Sequence, residues 1–121
     1  MGLTITESQA TLDARFPTTG ATDYIAYSAN GTSESASLAR TAIGATGWAA
    51  ATAADPSVKA NSGVLLSAAA SGAVTVSHFA LYSASTAGTQ RTDWQALSAS
   101  RALLTGDKVE WAVGACQVTL T

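Results

Sequence analysis

Histidine occurs once in this sequence, at position 78, so acid–base chemistry at neutral pH has a single imidazole to work with. A nucleophile–base pair would join His78 to a serine or to Cys116, the one cysteine. Ser77 is its chain neighbour, but successive strand residues point to opposite faces, so those two cannot form the pair. His78 is therefore read as a structural residue bonded to nearby backbone. Metal binding needs several clustered ligands, and one His with one Cys is too few. Asp55, Asp93, Asp107 and Glu110 fall near turns or on exposed strand faces, where solvated carboxylates are ordinary. No glycine pattern that cradles phosphate runs into a helix. The rings of Trp48, Trp94, Trp111, Tyr24, Tyr27 and Tyr82 could form a sugar-binding platform, yet aromatics in β-sandwiches more often fill the core. The reading is a protein without a reaction: no catalytic, cofactor-binding or metal-ligating residues, and no cofactor.

Composition narrows the partners. The chain has 121 residues, 12% of them charged, and a formal net charge of −2. That length fits one domain with a real core. Its six basic residues are scattered, so neither nucleic acid nor an anionic membrane is an expected partner. Small residues with few charges suit a surface partly covered by neighbours, because low charge is a solubility risk for a free monomer. A lone cysteine allows no internal disulfide. No transmembrane run or signal peptide is read. Two patterns, Met1-Gly2 with Thr6 for myristoylation and Asn30-Gly31-Thr32 for glycosylation, are short enough to arise by chance.

The elements that must position these residues centre on Val74–Leu97. It holds a β-branched and aromatic run (V-T-V-S-H-F-A-L-Y), a Ser/Ala/Gly loop, and a second run with Trp94 and Leu97, the signal of a hairpin. Val74 and Val76 share one face, whereas Phe79 and Leu81 share the other. Either both faces are covered or a bulge near Ser77 and His78 re-aims the side chains. Such a strand belongs in the middle of a sheet. Upstream, Thr6 can cap a short helix with Glu7 in its first turn, ending at Phe16-Pro17, with Leu12 and Phe16 on its docking face. Asp23–Ala29 and Leu38–Ile43 read as strands, with the Asn30-Gly31 turn between them. Ala49–Ala54 reads as strand and loop, and Val58 and Gly63–Ala68 as a further strand. Lys108–Val113 alternates, and so does Cys116–Thr121, with a turn or bulge at Gly114. The fold class is mainly β: an antiparallel sandwich or flattened barrel of about seven to eight short strands. It forms one domain over 1–121, with a helical segment (1–17) docked on it. Its core residues are Val76, Phe79, Leu81, Trp94, Trp111 and Val118.

The chain resembles a family of small tailed-bacteriophage virion proteins usually labelled phage tail fibre or minor tail protein. The likeness is strongest in Val76–Tyr82 followed by Ser83–Gly88, where the family carries V-T-H-F-A-L-F/Y and then D-A-A-T-G-G. Leu38-Ala39-Arg40 is similar to its Y-A-R, Trp48-Ala49-Ala50 to W-x-A-A, and Gly106–Val109 to S-G-D-T-V. Trp94 with Ala96-Leu97, Ser98–Leu104 and Val118–Thr121 also fit in order. Ser83 stands where the family often has Asp, and Ala87 where it often has Gly.

The resemblance implies a structural role in the virion, with no catalytic residues to carry over. A fibre shaft needs repeats or a coiled coil, and one globular domain without them favours a decoration protein on the outside of the capsid. A tail or tail-fibre accessory subunit is the alternative, and a host-surface or carbohydrate-binding module a third. Expected partners are major capsid or tail proteins, and copies of itself in a symmetric oligomer, after synthesis in the host cytoplasm. Low charge places the contacts on small and apolar segments such as Thr32–Ser37 and Ala49–Ala60. Truncating Phe79 to Ala is expected to cost roughly 3–5 kcal/mol. A Phe79→Ala chain melting like wild type would remove this strand from the core.

Overall fold

The computed structural model describes residues 4–18, 22–44, 47–53 and 57–120. Residues 1–3, 19–21, 45–46, Ala54-Asp55-Pro56 and Thr121 lie outside them. Among the described residues the chain is mainly β, with eight strands in antiparallel sheets that do not close into a barrel, and one short helix. The helix is α1 (Ile5–Arg15). The strands are β1 (Tyr24–Ser28), β2 (Thr41–Ala42), β3 (Ser57–Ala60), β4 (Leu65–Leu66), β5 (Val74–Tyr82), β6 (Gln95–Leu103), β7 (Glu110–Trp111) and β8 (Gln117–Leu120). Two compact units share them, one built from 1–21, 43–65 and 111–121, the other from 22–42 and 66–110.

The second unit carries a four-stranded sheet in the order β2-β1-β5-β6, which puts β5 inside it with antiparallel neighbours on both sides. Pairing with β1 is regular, from Tyr24 opposite Tyr82 to Ser28 opposite His78. Pairing with β6 is not. Val74, Thr75 and Val76 face Leu103, Ala102 and Arg101, and then the register shifts so that His78 and Phe79 face Ala96 and Gln95. Residues 97–100 thus stand opposite Ser77 alone. This is the bulge that the change of apolar phase calls for, and it re-aims the strand. Beyond it Phe79, Ala80 and Leu81 are all buried, as are Ile25, Ala26 and Tyr27 beside them, so both faces of the sheet centre are covered. Tyr27 satisfies its buried hydroxyl on Thr41 Oγ1 at 2.6 Å. Buried Asp23 meets Arg91 at 3.2 Å.

In the first unit α1 starts at Thr4, two residues before the expected cap. Thr4 Oγ1 accepts from the Glu7 amide, while the Phe16 amide closes the far end on the Leu12 carbonyl. Leu12 and Phe16 are buried, and the Phe16 ring meets Trp48 edge-on with centroids 5.4 Å apart. Trp48 itself bridges to Asn61, so the alanine run after it starts in extended chain rather than helix. Asn61, 1% exposed, accepts from the Cys116 amide and donates to the Gly63 and Ala112 carbonyls. β3 pairs with β8 in a two-stranded sheet.

The least expected core residue is Lys59. Its side chain is fully buried, and its Nζ donates to Asp13 Oδ1 on α1 at 2.5 Å. The same oxygen accepts the Ala51 amide, and Gln9 Nε2 donates to the Ala51 carbonyl. Helix, loop and strand are thus pinned through one carboxylate. Ser57 is buried too, so the β3 half of Ala49–Ala60 belongs to the interior and only residues such as Ala49, Ala50 and Thr52 offer surface. Among the residues read as core, Val76 (0%), Leu81 (0%), Phe79 (7%) and Trp111 (6%) are buried, while Trp94 and Val118 are half-buried. Trp94 stacks aslant on Tyr82 rather than entering the interior, and Val118 sits opposite Lys59 on a two-stranded sheet. The alternation read through Lys108–Val113 stops early. The strand ends at Trp111, and Val113, 63% exposed, enters the turn at Gly114.

Hydrogen bonds from Lys59 first, and from the Ala51 amide next, hold the Asp13 carboxyl below its ordinary range. A depressed carboxylate stabilises the fold above its unfolded pKa, and that stability is lost as pH falls through the folded one. Asp13→Ala leaves the Lys59 ammonium buried and unpaired. The expected loss is about 3 kcal/mol, the low end for a broken buried pair because Asp13 is 43% exposed. Lys59→Met is expected to be close to neutral. Urea unfolding across the acid range checks both, since Asp13→Ala should flatten the loss of stability below about pH 4.

Candidate functional site

Arg40 gathers a heavily bonded side-chain cluster in the second unit. It lies one residue before β2, and its side chain is only 6% exposed. Its Nε and Nη2 donate to Glu34 Oε2 and Oε1, each at 2.8 Å, in a two-pronged ion pair. Nη1 donates to the carbonyls of Ala84 and Ala87, both at 2.7 Å. The guanidinium carbon stands 3.9 Å above the Tyr82 ring centroid, a cation–π contact. The Glu34 bond, more than any other influence, raises the guanidinium pKa. A flat fork with five donors suits this geometry, and an ammonium would not.

What Arg40 holds is the loop after β5. Ser83 donates its amide to the Thr89 carbonyl and accepts the Thr89 amide on Oγ at 2.8 Å. That is the role an Asp would play at this position, so the serine keeps the loop closed. Ala87 has φ +52, a left-handed conformation that glycine adopts without strain. Gly88, at φ +73, has no room for a side chain, since a Cβ would lie 2.8 Å from Ser83 Oγ. Beside the loop, Glu34, Ser35, Leu38, Arg40, Ser85 and Thr86 are among the residues lining an open groove of about 360 Å³. Part of Thr32–Ser37 therefore borders the Ser/Ala/Gly loop.

Ser77 and His78, read as pointing apart, are brought together. Ser77 Oγ lies 2.7 Å from His78 Nδ1, because the bulge suspends the alternation of side chains. The contact is the one a base makes with a nucleophile, through one edge of the ring. Its other edge packs on Gly31, where a Cβ would come within 2.9 Å of Nε2, the place an orienting acid takes in a triad. Cys116 is fully buried in the first unit and burial pushes its thiol up to about 12, far from a reactive thiolate. Asp93, Asp107 and Glu110 are exposed, and Asp107 accepts the Leu104 amide in its own turn. Among the described residues no cluster of three His, Cys, Asp or Glu could hold a metal ion. Trp48, Tyr27 and Trp111 are buried, and Tyr24, Tyr82 and Trp94 half-buried. Tyr82 and Trp94 are inclined at 54°, and Arg40 covers Tyr82, so these rings form no flat platform.

Sequence reading passed over Asp13, Lys59, Asp23 and Glu34, the charged groups that the fold uses. Arg40 had a signal in the Leu38-Ala39-Arg40 match, without a reason attached to it. A scan against protein-family models matches residues 6–119 to Podophage GP4 fiber I protein gp80. A search of curated proteins found no match.

Arg40→Lys keeps the charge but loses the fork, and is expected to cost about 2 kcal/mol. It should also open residues 83–89 to proteolysis. Ala87→Gly relieves the left-handed alanine and is expected to stabilise by about 0.5–1 kcal/mol, after allowing for the freer unfolded chain. Denaturant midpoints of the two variants, moving in opposite directions, check this account of the loop.

Proposed function

The chain belongs to the podophage fiber I protein gp80 family, which makes it a phage structural protein and a virion component, and from this we propose that it is a non-catalytic subunit of a tail fibre. The family match carries the reading, since it runs through 6–119 and so takes in the helix, the central sheet and the clamped loop. It favours the fibre over the capsid-decoration role that the lack of repeats suggested. Repeats are needed by a shaft, whereas a folded domain can sit at a fibre's end or joint. His78 serves as packing against Gly31 in this reading, and Arg40 as a clamp.

Attachment runs through small and apolar surface. Val64, Leu66, Leu104 and Val113 are each more than half exposed. The outer strand β6 presents alanines and serines with Arg101 as its one charge, and most of its residues are exposed. A free sheet edge of that length is ordinarily guarded by lysine or proline, so this one suits a covered position. Partners are other fibre or tail proteins and further copies of the chain.

Counting copies per virion by quantitative mass spectrometry tests the location. A handful to a few tens is expected, and hundreds would return the protein to the capsid surface. Washing particles at rising ionic strength tests the contacts. The protein should stay bound past about 0.5 M salt, where exposed charge pairs are screened. Release there from otherwise intact particles would mean that electrostatics hold it.

A further inference from the structure

Asn30-Gly31 is the one asparagine–glycine step in the chain, and hydroxyls and backbone amides of its own turn surround it. Glycine is enforced at 31 twice over. Its φ is +76, and a Cβ would meet three atoms of the His78 ring at 2.9–3.0 Å. The turn therefore keeps the least hindered backbone amide next to an asparagine side chain. Ser28, buried at the end of β1, connects the two. Its Oγ accepts the Gly31 amide at 2.9 Å and donates to Asn30 Oδ1 at 3.0 Å. Asn30 Oδ1 also accepts from the Thr32 amide (2.9 Å), Thr32 Oγ1 (3.0 Å) and the Ser33 amide (3.0 Å). Asn30 Nδ2 donates to Ser33 Oγ at 3.3 Å.

We infer that Asn30 is a self-modification site, at which the Gly31 amide nitrogen attacks Asn30 Cγ with Ser28 Oγ as the proton relay. The Gly31 proton passes to Ser28 Oγ while the Ser28 hydroxyl proton passes to Asn30 Oδ1, and the Gly31 N–Asn30 Cγ bond forms. The tetrahedral carbon then carries a hydroxyl and the former amide NH2. The hydroxyl proton moves to that nitrogen, the Cγ–Nδ2 bond breaks, ammonia leaves, and the C=O re-forms as part of a succinimide. Water opens the ring at either carbonyl to give aspartate or isoaspartate. Atoms and charge balance, and water is the one co-reactant. Donors aimed at Oδ1 favour the step because charge develops on that oxygen. The relay favours it by supplying and removing protons in place. Asn30 is exposed, so water reaches the ring. The product puts a carboxylate beside the Thr32–Ser37 segment, and the isoaspartate form lengthens the turn by one backbone methylene.

The purified full chain, incubated at neutral pH, is followed by peptide mapping for succinimide, aspartate and isoaspartate at position 30. Conversion faster than in the same chain unfolded in urea is expected. Buried Asn61, followed by serine, should stay unchanged as an internal reference. Ser28→Ala should slow conversion roughly tenfold. Thr32→Val, at an exposed position that leaves the fold undisturbed, should slow it severalfold and decides the matter if Ser28→Ala does not fold. Folded wild type converting no faster than the unfolded chain would overturn the inference. So would folded variants converting at the wild-type rate.

Discussion

The break in register between Val76 and His78 is the constraint to which the central sheet answers. β5 must bury Val76 on one side and Phe79 with Leu81 on the other, and a single regular pairing cannot do both. Slack appears on β6, where residues 97–100 face Ser77 alone, while the β1 side stays regular through Ser28 opposite His78. Because the shift is taken up on one edge, the core-side register is undisturbed. Ser77 and His78 meet through it, and the His78 ring is turned onto Gly31.

The two units solve the shortage of charge differently. In one, a buried lysine is satisfied by a single helix carboxylate, which also takes a loop amide. In the other, a nearly buried arginine spends its donors on Glu34 and two loop carbonyls and its face on Tyr82. Asp13 and Arg40 are each multiply bonded at their sites. Buried ions add little net stability over apolar residues of the same volume, but they tolerate one geometry. Specificity of loop and helix placement is what they contribute.

The β pattern, the interior place of β5, the hairpin with β6, the docking face of Leu12 and Phe16, and the break near Ser77 were all legible in the sequence. Each is a local consequence of residue type and spacing. The cap at Thr4 instead of Thr6, and the early end of the strand at Trp111, are boundary effects that depend on which backbone groups find partners. The departures at Ser83 and Ala87 were visible in sequence too, but their meaning was not: one is a hydroxyl that closes a loop, the other a left-handed alanine.

Sequence by itself determined the fold class and the central strand, because periodicity and residue type act over a few neighbouring positions. Tertiary structure alone decided that Lys59 is interior, that Arg40 reaches Ala84 and Ala87, and that Ser28, Asn30, Gly31 and His78 converge on one turn. These contacts join residues as many as 47 positions apart. A lysine or arginine looks the same in sequence whether its charge ends in water or on a carboxylate. Only the packing of distant segments settles which.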